Sequence, residues 1–130
     1  MNSVHKNRLL KLATFLETLP PERFDLSGFV IEYNTKGGRA CGTVCCAVGW
    51  CPKVFPDHWR WKEYTYNDGC IPKLKRNPSG ILLDIKAFFG INDADIEYLF
   101  MPGKYPQGHR NAKYVARRIR SFVKRQEALQ

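Results

Sequence analysis

Apolar residues recur at helical spacing near the start of the chain: Leu9, Leu12, Ala13, Phe15, Leu16 and Leu19 fall three or four apart, which predicts an amphipathic helix. Ser3 is a suitable cap for it, and Pro20-Pro21 prevents its continuation. Residues 22–40 pass through Phe24, Leu26, Phe29, Val30, Ile31 and Tyr33 into the turn-forming NTKGGRA, a pattern that fits a short strand or an irregular loop equally well. The segment CGTVCCAVGWCP follows. With Thr43 as cap and Val44, Cys45, Cys46, Ala47, Val48 and Trp50 apolar all round, it predicts a short buried helix stopped by Pro52.

Residues 53–80 lose this periodicity, and the Asn67-Asp68-Gly69 turn signal predicts a small hairpin or a long ordered loop. Helical spacing returns in ILLDIKAFFG, closed by Gly90, and in DADIEYLF, capped by Asn92 with Asp93 and Asp95 at the positive end of its dipole. A final helix beginning at Asn111 aligns Ala112, Val115, Ala116, Ile119, Phe122 and Val123 in one apolar stripe. The expected fold is mainly α, a single domain over residues 1–130 with four to five helices and a small hairpin or loop in the middle. An α+β arrangement stays open, since residues 22–40 and 53–80 can each be read as strand or loop.

Charge then narrows the function. Lys and Arg number 21 against 12 Asp and Glu, a formal net charge of +9, which favours anionic partners. The first residues lack the uninterrupted apolar stretch of a signal peptide, and no run is long enough to span a bilayer, so a cytoplasmic location and no membrane partner are expected. Lys113, Arg117, Arg120 and Lys124 follow i, i+4, i+7 and i+11, a one-sign stripe opposite the apolar face of the last helix. Arg118 and Arg125 flank it, and only Glu127 opposes it nearby. Like charges so spaced repel one another unless an anion relieves them, although cationic helix faces also serve simple solubility.

The run HWRWKEYTY gives a second candidate surface, in which Trp59 and Trp61 would stack on bases while Arg60 and Lys62 meet phosphates. Strand alternation sends the two tryptophans to one side and the two cations to the other, and core cover is the competing role for the indoles.

Catalytic and metal chemistry have less support. Cys41, Cys45, Cys46 and Cys51 lie close together, but a helix through them spreads the thiols instead of converging four on one zinc ion. A thiol nucleophile would need a low pKa at a helix N-terminus and a base such as His58 or His109, and the local context of papain-like enzymes is missing. We therefore read the cysteines as core and His5, His58 and His109 as surface residues. Walker and dinucleotide-binding loops are absent, so no cofactor and no metal are expected.

Arg8 to Asp25, Cys41 to Trp50 and Phe88 to Phe100 together resemble small uncharacterised proteins of bacteriophages and prophages, over a little under half the chain. In that pattern alanine stands where this chain has Cys45, while Cys41 and Cys46 match. The resemblance implies a phage or prophage origin and transfers no activity. By analogy it points to an accessory or counter-defence protein rather than an enzyme. The expected partner is a nucleic acid or nucleotide held by the basic helix; the alternatives are direct inhibition of a host defence protein and a cysteine-dependent hydrolase.

Overall fold

The computed structural model describes residues 1–24, 47–63, 70–76, 79–106, 108 and 111–129. Within them the protein is mainly α: helices α1 (Ser3–Thr18), α2 (Cys51–Val54), α3 (Ile81–Phe89), α4 (Asp93–Phe100) and α5 (Ala112–Ala128) accompany strands β1 (Trp59–Glu63) and β2 (Cys70–Leu74). The strands form a two-stranded antiparallel hairpin in which Trp59 pairs with Leu74 and Trp61 with Pro72. No helix here is long and apolar enough to cross a membrane.

The centre of the molecule is the packing of α1 on α5. Leu9, Leu12, Ala13 and Leu16 of α1 are buried, as are Ala112, Val115, Ala116, Ile119, Phe122 and Val123 of α5. The helices run antiparallel: Lys6 meets Glu127 at 2.7 Å near one end, and Glu17 meets Arg120 at 2.8 Å further along. Helices α2, α3 and α4 close the other sides of the same core, with Phe89 wholly buried between the rings of Phe55, Phe88 and Phe100.

Side-chain caps decide where these helices begin. Asn2, rather than Ser3, caps α1, because its side-chain oxygen accepts the His5 N–H at 2.8 Å and Ser3 is already in the first turn. Asn111 caps α5 through the Tyr114 N–H at 3.0 Å. Asn92 and Asp95 form a reciprocal capping box at the start of α4. Gly90 ends α3 with φ +66°, a left-handed conformation that suits glycine, and any β-carbon there would collide with the His5 ring.

Two expectations about the cysteine-rich segment change. Its described part, residues 47–54, is buried as expected apart from Lys53, but Pro52 does not stop it: a tight turn at Val48–Trp50 leads directly into α2, and Pro52 lies within the first turn of that helix. A first-turn proline forfeits no helical hydrogen bond, since those N–H groups have no intrahelical acceptor. Cys51 is fully buried in the core. Cys41, Cys45 and Cys46, with the Thr43 cap, lie outside the described residues, as do most of residues 22–40 and the Asn67-Asp68-Gly69 turn. Between Trp59 and Leu74 the alternative of hairpin or loop resolves as a hairpin.

Candidate anion-binding surface on the last helix

At about 100° per residue, the positions of Lys113, Arg117, Arg120 and Lys124 fall within one narrow arc of α5. The four residues line a single open depression of about 450 Å³, with Ser121 and with Glu17 from α1. Arg120 is already engaged. It grips Glu17 through two bonds of 2.8 Å and reaches the Thr14 hydroxyl at 3.0 Å, bracing α5 against α1. The hydrogen bond from Arg120 holds the Glu17 carboxyl below its usual range, and the same bond raises the Arg120 pKa. The lowered carboxylate pKa gives the pair a stabilising contribution that is present at neutral pH and disappears as pH falls through the acid range. Being exposed, the pair adds little.

Arg120 is therefore a brace at the edge of the stripe, and Glu17 opposes the stripe alongside the expected Glu127, which itself pairs with Lys6. Lys113, Arg117 and Lys124 stay exposed, and among the described residues no carboxylate lies within ion-pair distance of them. Arg117 additionally passes over the Tyr114 ring at 5.4 Å.

Arg118 and Arg125 belong to a different face, roughly 120° round the helix and turned toward α4. Arg118 donates at 2.8 Å to the Tyr98 carbonyl and at 2.8 Å to the Lys104 carbonyl. Its guanidinium also stacks 3.7 Å from the Tyr105 ring and 4.4 Å from the Tyr98 ring. Arg125 lies 5.3 Å over Tyr98. Next to this clamp the buried Tyr105 hydroxyl donates to the Leu99 carbonyl at 2.6 Å. Together Arg118 and Tyr105 satisfy carbonyls at the end of α4 that have no helical donor, and the cation sits at the negative end of that helix dipole. Burial pushes the Tyr105 phenol well above its usual pKa, so it remains a donor through the physiological range.

Arg118, expected to flank the stripe as an anion ligand, instead commits its Nη1 donors to two carbonyls and its planar face to two tyrosine rings. Arg118→Gln is expected to lower stability by about 1.5–3 kcal/mol, as loss of charge-assisted bonds to carbonyls does. Thermal unfolding of the purified variant measures this, and a loss below about 0.5 kcal/mol, the range of a neutral surface change, would remove the clamp role.

The aromatic surface changes more. Trp59 is 1% exposed, packed edge-on against Phe88 at 5.5 Å, and cannot present a stacking platform. Its indole N–H has no hydrogen-bond partner among the described residues. Trp61 is half-buried on the same side of β1, edge-on to Trp50 at 6.5 Å, and donates to the Gly49 carbonyl at 3.0 Å. Arg60 and Lys62 are exposed. The pleat separates the tryptophans from the cations, so aromatic and basic groups that interleave in the sequence do not share one surface.

Sequence reasoning missed a second depression of about 450 Å³, lined by Arg8, Asp57, His58, Leu74, Lys75, Arg76, Ala87 and Phe88. Its cations come from two segments far apart in the chain, Arg8 in α1 and Lys75-Arg76 after β2, so no local pattern announces it. Among the described residues no three His, Cys, Asp or Glu side chains converge as metal ligands would, and His109 lies outside them. Compared with protein-family models, curated proteins and solved structures, the chain has no significant match.

Proposed function

We propose that the protein is a non-enzymatic binding module for a polyanion, nucleic acid, engaged through α5. The observation that carries this reading is the row of Lys113, Arg117 and Lys124, exposed along one open depression with no carboxylate within ion-pair distance of them among the described residues. From Lys113 to Lys124 the helix rises ~16 Å, comparable to about five base pairs of duplex. A row of that length suits successive phosphates better than one compact anion. The net charge of +9 adds long-range attraction, and Arg60 and Lys62 supply further exposed cations on the hairpin. The resemblance to phage proteins fits an accessory or counter-defence role for such a module.

Binding of a fluorescent DNA duplex, a single strand and an RNA duplex at several salt concentrations tests the proposal. Affinity is expected to fall with a log–log salt slope of about −3, from three phosphate contacts at roughly 0.9 each. Lys113→Gln, Arg117→Gln and Lys124→Gln, combined, should flatten that slope while leaving the thermal midpoint near its original value, because all three side chains are exposed. Absence of binding at low salt, or an unchanged slope in the triple variant, overturns the reading.

A further inference from the structure

The second depression has a different character from the α5 stripe. On α1, Arg8 lies on roughly the opposite side from Lys6 and Glu17, so this groove opens on the flank of α1 away from α5. Its cations are clustered rather than strung out: Arg8, Lys75 and Arg76 line the groove together, with Asp57 as the one lining carboxylate among the described residues and His58 beside them.

The framework beneath these side chains is firmly held. Arg8 donates to the Phe88 carbonyl at 2.8 Å and stacks 4.0 Å over the Phe88 ring, which leaves the rest of its planar donor fork fixed in direction. The His58 ring leans on the same Phe88 at 5.4 Å. The Lys75 N–H donates to the His58 carbonyl at 2.8 Å, joining the two groove walls through the base of the hairpin. The buried Asp84 accepts from the Leu74 and Ser79 N–H groups, which anchors the chain on either side of Lys75 and Arg76. A guanidinium oriented in this way by its surroundings recognises a planar or tetrahedral oxyanion with less ordering cost than a free surface cation.

We propose that this groove is a receptor for a phosphate monoester, carried by a nucleotide. Three cations against one carboxylate leave two positive charges, which the nearly dianionic phosphate monoester neutralises at pH 7. The groove is not purely polar: Ala87 and Leu74 line it, and Leu83, one turn before Ala87 on α3, is 56% exposed. That apolar shoulder favours a phosphate attached to a nucleoside over the bare ion.

The inference stands independently of the α5 reading, and one set of measurements separates them. Amide chemical shifts of the protein are followed by NMR during titration with adenosine 5′-monophosphate, with adenosine and with inorganic phosphate. Saturable shifts at residues 57–58 and 75–76 are expected with the monophosphate, weaker ones with inorganic phosphate and none with adenosine. Equal affinity for inorganic phosphate would remove the nucleoside from the proposal, and no saturable shifts with either the monophosphate or a 5′-phosphorylated strand would overturn it entirely. Lys75→Gln with Arg76→Gln is expected to weaken the monophosphate about tenfold or more, and retained affinity in that double variant would also overturn the proposal. Asp57→Asn should tighten binding severalfold, a gain that damage to the fold does not mimic, and a loss there counts against the site. The triple α5 variant should bind the monophosphate as the unaltered protein does; a parallel loss would place the phosphate on α5 instead. Finally, comparing 5′-phosphorylated and 5′-hydroxyl oligonucleotides of one sequence distinguishes a free nucleotide from the end of a strand. A phosphorylated end that shifts residues 57–58 and 75–76 when the monophosphate does not assigns the ligand to the strand.

Discussion

Phe89→Ala is expected to lower the free energy of unfolding by about 3–5 kcal/mol, the range for truncating a fully buried phenylalanine. The ring is 0% exposed and meets Phe55 at a centroid distance of 6.1 Å, Phe88 at 5.0 Å and Phe100 at 6.1 Å, so its loss opens a cavity where α2, α3 and α4 converge. Those neighbours are themselves held by separate elements and cannot all move inward. A domain of ordinary stability has about 5–15 kcal/mol in total, so the variant should unfold at much lower urea concentration with a similar slope. Phe89→Leu, which refills most of the space, should cost about 1–1.5 kcal/mol. If urea titration gave Phe89→Ala a loss below about 1 kcal/mol, the site would be collapsing freely and the rigid convergence described above would be wrong.

Asp84→Ala should be nearly as severe, at about 2–4 kcal/mol, by another route. Asp84 is 1% exposed, and its two oxygens accept the Leu74 N–H at 3.2 Å and the Ser79 N–H at 2.9 Å. Alanine removes the buried carboxylate that both N–H groups share and, with it, the link between the end of β2 and the start of α3. Asp84→Asn discriminates between charge and shape, since an amide keeps one acceptor but turns an NH₂ toward the other donor. Its stability should fall between that of the original protein and that of Asp84→Ala. Thermal unfolding of both variants provides the check, and an alanine variant as stable as the original would show that the clasp is dispensable.

Helical elements were legible wherever apolar spacing and a capping residue agreed. The stripe from Ala112 to Val123 lies buried residue for residue, Asn92 and Asn111 cap as expected, and Gly90 ends α3. Boundaries slipped by local competition, as at Asn2 against Ser3, where either residue has the chemistry and only the geometry chooses. Asp84 was legible in principle: it lies three residues after Ile81 and four before Phe88, on the stripe itself, but an acid in an apolar run reads as outward-facing until its acceptors find donors. The long-range partners had no local trace. Glu17 and Arg120 are 103 residues apart, and the groove of Arg8, His58, Lys75 and Arg76 forms only when α1, the hairpin and α3 meet. In HWRWK the alternation itself was legible; what the sequence left open was whether the indoles cover the core, and only the packing of Trp59 on Phe88 decides that.

The pairing of α1 with α5 also sets the order in which the chain can mature. The apolar face of α1 has most of its cover on a helix about a hundred positions later, as the 121-residue separation of Lys6 and Glu127 illustrates. During synthesis, at roughly 5–20 residues per second, α1 therefore waits several seconds after leaving the ribosome with Leu9, Leu12 and Leu16 uncovered. Closing so long a loop is slow, and until α5 emerges the nascent chain offers those leucines to chaperones. Ribosome-bound chains halted before Ala112 should accordingly remain sensitive to protease, and chains in which α5 has fully emerged should become resistant.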